Sequence, residues 1–345
     1  MTGAPRLLGL ATTVPPHILR QTRVRAEAGR FFGSESERLL PVFENSGIET
    51  RHGAVPLDWY LEPRGWIDRN DAYLEAALPL IEAAALAALA EADLAPEDID
   101  TIVTVSTTGI ATPSLDALLI ERLPFRRHTQ RMPVFGLGCA GGVLGLSRAA
   151  ALARAEPGSK VLLLVVELCT LSFRKNDRSK SNIVATALFG DGAAAAVISS
   201  RGEGPAFGPA GEHCWPGSLG IMGWDVAEDG LKAIFSRDIP ALVRSEMRNV
   251  ADAFFARHDL DFAEFDAVTC HPGGTKVVAA LEEVFEQPAG SMVEARQVLR
   301  DFGNMSAPTV LFVLKAMLEA DARRRLLLTA MGPGFCAAFQ VLDNR

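Results

Sequence analysis

Three side chains of different chemistry stand in short, glycine-bounded contexts. Cys139 lies in Gly136-Leu-Gly-Cys-Ala-Gly-Gly142, His271 in Cys270-His-Pro-Gly-Gly274 and Asn304 in Phe302-Gly-Asn-Met-Ser306. A thiol, an imidazole and a carboxamide suffice for a decarboxylative Claisen condensation of thioesters. The thiolate takes an acyl group; the imidazole and amide donors hold the enolate oxygen that forms when a malonyl thioester loses carbon dioxide. The three residues are far apart along the chain, so this chemistry requires a fold that unites them.

Each residue also has a plainer role open to it. Cys139 follows an apolar segment, 132–135, that reads as a strand, and precedes an Ala/Leu-rich helical segment, 143–152. A helix N-terminus favours negative charge and so lowers a thiol pKa. The glycines let a carbonyl approach the backbone closely. The alternative is a small thiol packed in a buried turn. His271 ends a predicted strand, Pro272 fixes the exit of the chain, and the two glycines clear space beside the imidazole. Asn304 either joins the site or caps a helix starting near Ser306. Gly136, Gly138 and Gly141 also spell a dinucleotide fingerprint, with Glu167 as its acidic follower 26 residues after Gly141. That pattern begins far from the N-terminus, and the thiol reading is preferred over it. Phe189, in Leu188-Phe-Gly-Asp-Gly-Ala-Ala-Ala-Ala196, is either core or an apolar wall that disfavours a malonyl carboxylate.

The elements that must position these residues recur in the two halves of the chain. Segment 100–109 is an apolar strand ending in small polar residues, and segment 265–274 has the same form. Helical stretches follow at 114–123 and 275–285. Glycine-rich helix entries come next, at Gly138-Cys139 and Gly303-Asn304, and then apolar strands at 160–166 and 324–329. His271 follows Thr107 by 164 residues, and Asn304 follows Cys139 by 165. Such constancy predicts duplicated α/β halves, 1–200 carrying the cysteine and 201–345 carrying the histidine and asparagine. Placed back to back, they give a five-layer α/β/α/β/α arrangement with parallel pairing and right-handed crossovers. Functional groups of such sheets gather at strand carboxyl ends and helix starts, where all three residues fall.

The 345 residues are 48% hydrophobic, ample for such a core. Net charge is -8, which argues against nucleic acid as a partner. The five cysteines are odd in number and lack C-x-x-C spacing, which fits reduced thiols better than disulfides or zinc. The N-terminal residues do not read as a signal peptide. The Ala/Leu-rich segment 76–94 is interrupted by Pro79, Glu82 and Glu91 and reads as a buried helix rather than a membrane span. A cytoplasmic protein without stable membrane insertion is expected.

Together, Gly138-Cys-Ala-Gly-Gly, Leu188-Phe-Gly-Asp-Gly-Ala-Ala-Ala, His271-Pro-Gly-Gly, Gly303-Asn-Met-Ser and Gly332-Pro-Gly resemble the type III polyketide synthases, the chalcone and stilbene synthase family of the thiolase superfamily. The resemblance spans most of the chain in the family's order. It implies a homodimer with a thiolase fold and no metal or redox cofactor. It also implies acyl loading from acyl-CoA, iterative extension with malonyl-CoA, and cyclisation. Cys139 matches the family nucleophile, His271 and Asn304 its decarboxylation and oxyanion pair, and Phe189 its gatekeeper. Segments 166–173, 185–189 and 222–225 are similar to bacterial alkylresorcinol and alkylpyrone synthases. The resemblance places Cys169, Ser172, Trp224, Ala233 and Thr112 on the substrate pocket. Ala233 stands where plant members carry Phe, which predicts a wider pocket or a tunnel suited to a fatty acyl starter. Trp224 is bulky where plants have Gly, so the pocket is reshaped rather than simply enlarged. Arg38 matches a CoA-binding cation, but Pro41 and Asn45 replace others of that cluster; Arg51 and Lys276 are further candidates. The nearest rival is a β-ketoacyl-carrier-protein synthase, which stops after one extension and usually has Gln after its His. A thiolase using Cys336 as a second catalytic cysteine, and an inactive acyl-CoA-binding subunit, are weaker readings.

Overall fold

The computed structural model describes residues 3–32, 38–236, 238–321 and 324–345. The first half runs β1 (Arg6–Thr13), β2 (His17–Arg20), α1 (Gln21–Phe32), α2 (Pro41–Asn45), β3 (Thr50–Gly53), α3 (Trp66–Glu91), β4 (Thr101–Val105), α4 (Leu115–Arg122), β5 (Gln130–Val134), α5 (Gly141–Ala155), β6 (Lys160–Leu168), α6 (Lys180–Leu188) and β7 (Asp191–Ser199). The second continues with β8 (Ala206–Cys214), β9 (Met222–Ala227), β10 (Gly230–Phe235), α7 (Ile239–Arg257), β11 (Ala267–Cys270), α8 (Thr275–Val284), α9 (Val293–Phe302), α10 (Thr309–Ala320), β12 (Arg325–Gly332) and β13 (Cys336–Asp343).

Nine strands form one sheet in the order β11-β12-β13-β8-β1-β7-β6-β4-β5. It is two sheets joined end to end, because β1 and β8 share a single register pair, Arg6 with Ala206. In the first half β4 and β6 pair in parallel, and β7 and β1 add antiparallel strands. In the second, β11 and β12 pair in parallel, and β13 and β8 add antiparallel strands in the same order. The repeat predicted from the sequence is therefore a repeat of topology. One strand breaks it: among the described residues, nothing in the second half corresponds to β5, and α9 leads straight into Gly303.

Periodicity explains the layers. In β6, Leu162, Leu164 and Val166 face the core beneath α3, while Val161, Leu163 and Val165 face the core around α5. In β7, Ala193 and Ala195 face the first core, and Ala194 and Ala196 the second. A strand buried on both faces has no polar side to show, so it reads as an unbroken apolar run. α3 covers the outer face of β1, β7 and β6, and Pro79 is accommodated within it. It is long and apolar enough to cross a membrane by composition, yet it packs on the sheet through Ala77, Ile81, Ala84 and Ala88. α5 and α10 form the shared central layer, α5 touching both half-sheets and α10 touching β1 and β11. α7 and α8 pair on the far side. The five layers expected from the sequence are present.

Candidate active site

Glycine makes the central layer close enough to form a site. A Cβ on Gly142 would lie 2.3 Å from the Ala307 carbonyl oxygen, so the start of α5 rests on the backbone that leads into α10. That contact brings Cys139 and Asn304 together. Cys139 sits in a 3-10 turn, Gly138–Ala140, just before α5. Gly138 has φ +45°, and a Cβ there would also strike Pro333 at 2.6 Å. The Cys139 side chain is buried and accepts a hydrogen bond from Ser306 Oγ at 3.4 Å.

The electrostatics differ from the sequence expectation. Burial pushes the Cys139 thiol up to about 11, with the Ser306 hydrogen bond pulling the other way and the Glu167 carboxyl adding to the rise. Desolvation disfavours the charged thiolate and so favours the neutral thiol. His271 is also buried, and burial alone lowers its pKa to about 4. Its backbone N–H donates to Thr329 O at 2.9 Å, extending the β11–β12 pairing by one residue. Neither Nδ1 nor Nε2 has a hydrogen-bond partner among the described residues. A neutral imidazole with both nitrogens uncommitted can accept one proton and donate another. Clearance is not what requires Gly273, since a Cβ there would sit 3.7 Å from His271 Nε2, an ordinary contact. Its carbonyl accepts a hydrogen bond from Asn304 Nδ2 at 3.3 Å.

Asn304 is held at both ends. Its Oδ1 accepts from Ser306 N at 2.8 Å, which fixes Nδ2 as the group facing Gly273. Its backbone N–H donates to Leu188 O, its carbonyl accepts from Gly190 N, and the loop forms a parallel bridge to Phe189. Asn304 does not cap a helix at Ser306: α10 begins at Thr309, and Thr309 Oγ1 itself closes the turn onto Ser306 O. Ser306, quoted in the sequence only as part of a motif, adopts φ +58° and thereby reaches the thiol. Nothing in a Gly-Asn-Met-Ser string reveals that conformation. Glu167 is buried as well. Its Oε2 accepts from Thr107 N and Thr108 Oγ1 while Oε1 stays unpartnered among the described residues. Burial raises its pKa to about 7 against those hydrogen bonds. That placement removes it as a ribose ligand.

Cys139, His271 and Asn304 line one cavity of about 400 Å³, together with Leu188, Met222 and Met331. Exposed Arg38 and Lys276 stand at the same cavity. Arg51 does not. It is 2% exposed, and its guanidinium donates to Thr186 O, Phe189 O and Gln21 Oε1. It braces the end of α6, so the sequence-based assignment as a CoA cation is wrong. Of the expected pocket residues, Phe189, Cys169, Trp224 and Ala233 meet in one packed cluster, and Trp224 and Ala233 line neither this cavity nor the next. Trp224 and Ala233 are cross-strand partners on the β9–β10 hairpin, and the Phe189 and Trp224 ring centroids are 5.6 Å apart. Cys169, Ser172 and Phe189 instead border a second, narrow apolar cavity against Val24, Ala28 and Phe31 of α1. Thr112 is exposed and borders none of these cavities of the described chain, against the expectation. Cys336 lies on β13 and does not border the cavity that Cys139 lines, so it gives no support to a thiolase pair.

The chain matches the family described as chalcone and stilbene synthases, its N-terminal domain over residues 63–202 and its C-terminal domain over residues 209–340. It is 37% identical to a 1,3,6,8-tetrahydroxynaphthalene synthase of Streptomyces peucetius subsp. caesius, covering 96% of this chain and 91% of the relative. It is 27% identical to the alpha-pyrone synthesis polyketide synthase-like Pks18 of Mycobacterium tuberculosis, covering 97% and 90%. The crystal structure of 1,3,6,8-tetrahydroxynaphthalene synthase from Streptomyces coelicolor A3(2) superposes with a TM-score of 0.93 at 29% identity, over 98% of this chain and 99% of that one.

Proposed function

From the premise that the chain belongs to the chalcone and stilbene synthase family and is a type III polyketide synthase, we propose its course of reaction, its substrates and its surroundings. It is an acyltransferase of decarboxylative condensation. An acyl-CoA enters the cavity past Arg38 and Lys276 and loads onto Cys139. His271 takes the thiol proton as sulfur attacks the thioester carbonyl, and CoA thiol leaves. Proton transfer is coupled to attack because burial favours the neutral thiol and the neutral imidazole. Malonyl-CoA follows. Its carboxylate leaves as carbon dioxide, and the electron pair moves onto the thioester oxygen. Asn304 Nδ2 and an imidazole N–H donate to that enolate, whose carbon attacks the Cys139 acyl group. The observation that carries this reading is the pairing of an imidazole with two uncommitted nitrogens and an amide of fixed orientation beside one buried thiol.

We infer a fatty acyl starter, iterative extension and closure to an alkylpyrone or alkylresorcinol. Support comes from the narrow apolar cavity that Phe189 and Cys169 border, whose lining suits an aliphatic chain, and from the resemblance to Pks18. The tetrahydroxynaphthalene relatives favour a second reading, a polyhydroxylated aromatic product without an alkyl tail. A homodimer is proposed in either case, supported by the edge strand β5, where Met132 and the neighbouring Phe135 are 37% and 62% exposed. An unpaired apolar edge is suited to a second copy. No bound cofactor enters the scheme, and the enzyme is placed in the cytoplasm.

The test incubates the protein with malonyl-CoA and short, long and aromatic acyl-CoAs, without carrier protein, and reads products by mass spectrometry. Long-chain products carrying two or three malonyl-derived units are expected. An aromatic product from malonyl-CoA alone would replace the alkyl reading. Activity that needs a malonyl carrier protein and stops at one unit would overturn the iterative mechanism.

A further inference from the structure

Cys214 and Cys336 face each other across the β8–β13 ladder as direct register partners. Directly opposed residues of antiparallel strands have Cα atoms roughly 4.5–5.5 Å apart and side chains on one face. Disulfides span Cα separations of about 4.4–6.8 Å, so the ladder already holds this pair at bonding reach. The two thiols differ in access: Cys214 is exposed, while Cys336 is 7% exposed. Neither has a part in the mechanism derived above.

Their position gives the pair leverage on the nucleophile. Cys336 follows the turn Pro333–Phe335, and at the end of β12 a Cβ on Gly332 would lie 2.6 Å from Leu137 O, the carbonyl that opens the Cys139 turn. Pro333 packs against Gly138 in the same way. Cys214 begins the segment leading to Met222, on the wall of the catalytic cavity. The two segments are tied lightly: Trp215 N–H donates to Phe335 O at 3.2 Å, Ser218 Oγ donates to Gly334 O at 2.9 Å, and the Trp215 and Phe335 rings touch.

We propose that Cys214 and Cys336 form a reversible intramolecular disulfide that fixes the turn behind the nucleophile and slows the enzyme under oxidising conditions. The oxidant is a low-molecular-weight disulfide such as oxidised glutathione. The exposed Cys214 thiolate attacks it, one S–S bond breaks, a mixed S–S bond forms, and one glutathione leaves as a thiol. Cys336 then gives up its proton and attacks the Cys214 sulfur, releasing the second glutathione. Two protein thiols are oxidised and one glutathione disulfide is reduced to two thiols, so electrons and protons balance. Burial pushes the Cys336 thiol up to about 11, which makes it the resolving rather than the attacking group.

The experiment treats the protein with oxidised glutathione and maps its peptides without reduction. A Cys214–Cys336 cross-link, two hydrogens lighter than the sum of its peptides, is expected. A stable glutathione adduct on Cys214 with Cys336 free would overturn the bond. The rate of Cys139 alkylation by iodoacetamide reads the site without relying on the proposed substrates. It should fall several-fold on oxidation, recover with dithiothreitol, and not respond in Cys214→Ser. An unchanged rate in cross-linked protein, or an equal response in Cys214→Ser, would overturn control of the site.

Discussion

Replacing His271 by Gln removes a titrating group from the dry centre of the site while keeping nearly its volume. In the native protein burial lowers the imidazole pKa from 6.5 to about 4, and no charged neighbour contributes. The native state therefore binds fewer protons than the unfolded chain between those values. Its stability falls as pH drops through that window. Linkage at 1.36 kcal/mol per pH unit gives a loss of about 2 kcal/mol from pH 7 to 5 and about 3 kcal/mol by pH 4. Wild-type protein alone will not show this cleanly. Glu167 and Asp191 are raised to about 7 and about 6, so each contributes stability that is lost as pH rises instead. The difference between wild type and His271→Gln isolates the imidazole. Urea unfolding of both proteins at pH 7 and pH 5 should find the wild type less stable relative to the variant by about 2 kcal/mol at the lower pH. The gap should not respond to salt, because desolvation rather than a nearby charge causes it. A gap constant within about 0.5 kcal/mol would show that the imidazole is hydrated or ion-paired, and the neutral-histidine mechanism would fall with it.

Asn304→Ala should slow malonyl-CoA decarboxylation about 10²–10³-fold, as loss of one fixed donor to a developing oxyanion does; carbon dioxide release measures it. Arg51→Met leaves two carbonyls and Gln21 Oε1 unpaired. It should cost about 3 kcal/mol in urea unfolding. Lys276→Ala should leave stability unchanged and raise KM for malonyl-CoA several-fold, a split that separates brace from ligand. Ala233→Phe must displace Trp224 or Phe189 and should cost about 1–3 kcal/mol by overpacking. It should also shorten the accepted starter, and an unchanged chain-length profile would detach Ala233 from specificity.

Two of the three candidate residues, Cys139 and Asn304, were legible because glycine marks them. Gly138 and Gly303 have positive φ, and Gly142 permits backbone contact, so their positions are written in the residue type. The repeat was legible because β4 with β6, and β11 with β12, share one parallel topology and hence one apolar pattern. Arg51 was misread because its burial depends on carbonyls presented by α6, more than 130 residues on. The offset of Ala233 by Trp224 is legible from their sizes, but only the hairpin register shows that the two are cross-strand partners. A helix start beside Cys139 is visible in sequence, whereas the burial that raises its thiol pKa is not. The lack of a β5 counterpart among the described residues left no signal, since α9 supplies a connection of its own.

The shared central layer also bears on how the chain is made. α5 rests on β12 and β13, and α10 rests on β1 and β7, so neither half completes its core alone. On a ribosome, α5 emerges roughly 190 residues before the last strand that covers it, an interval of about 10–40 s at ordinary elongation rates. During that interval an apolar helix face waits without its partner. A gene cut near residue 200 would be expected to yield two fragments that are soluble only when expressed together.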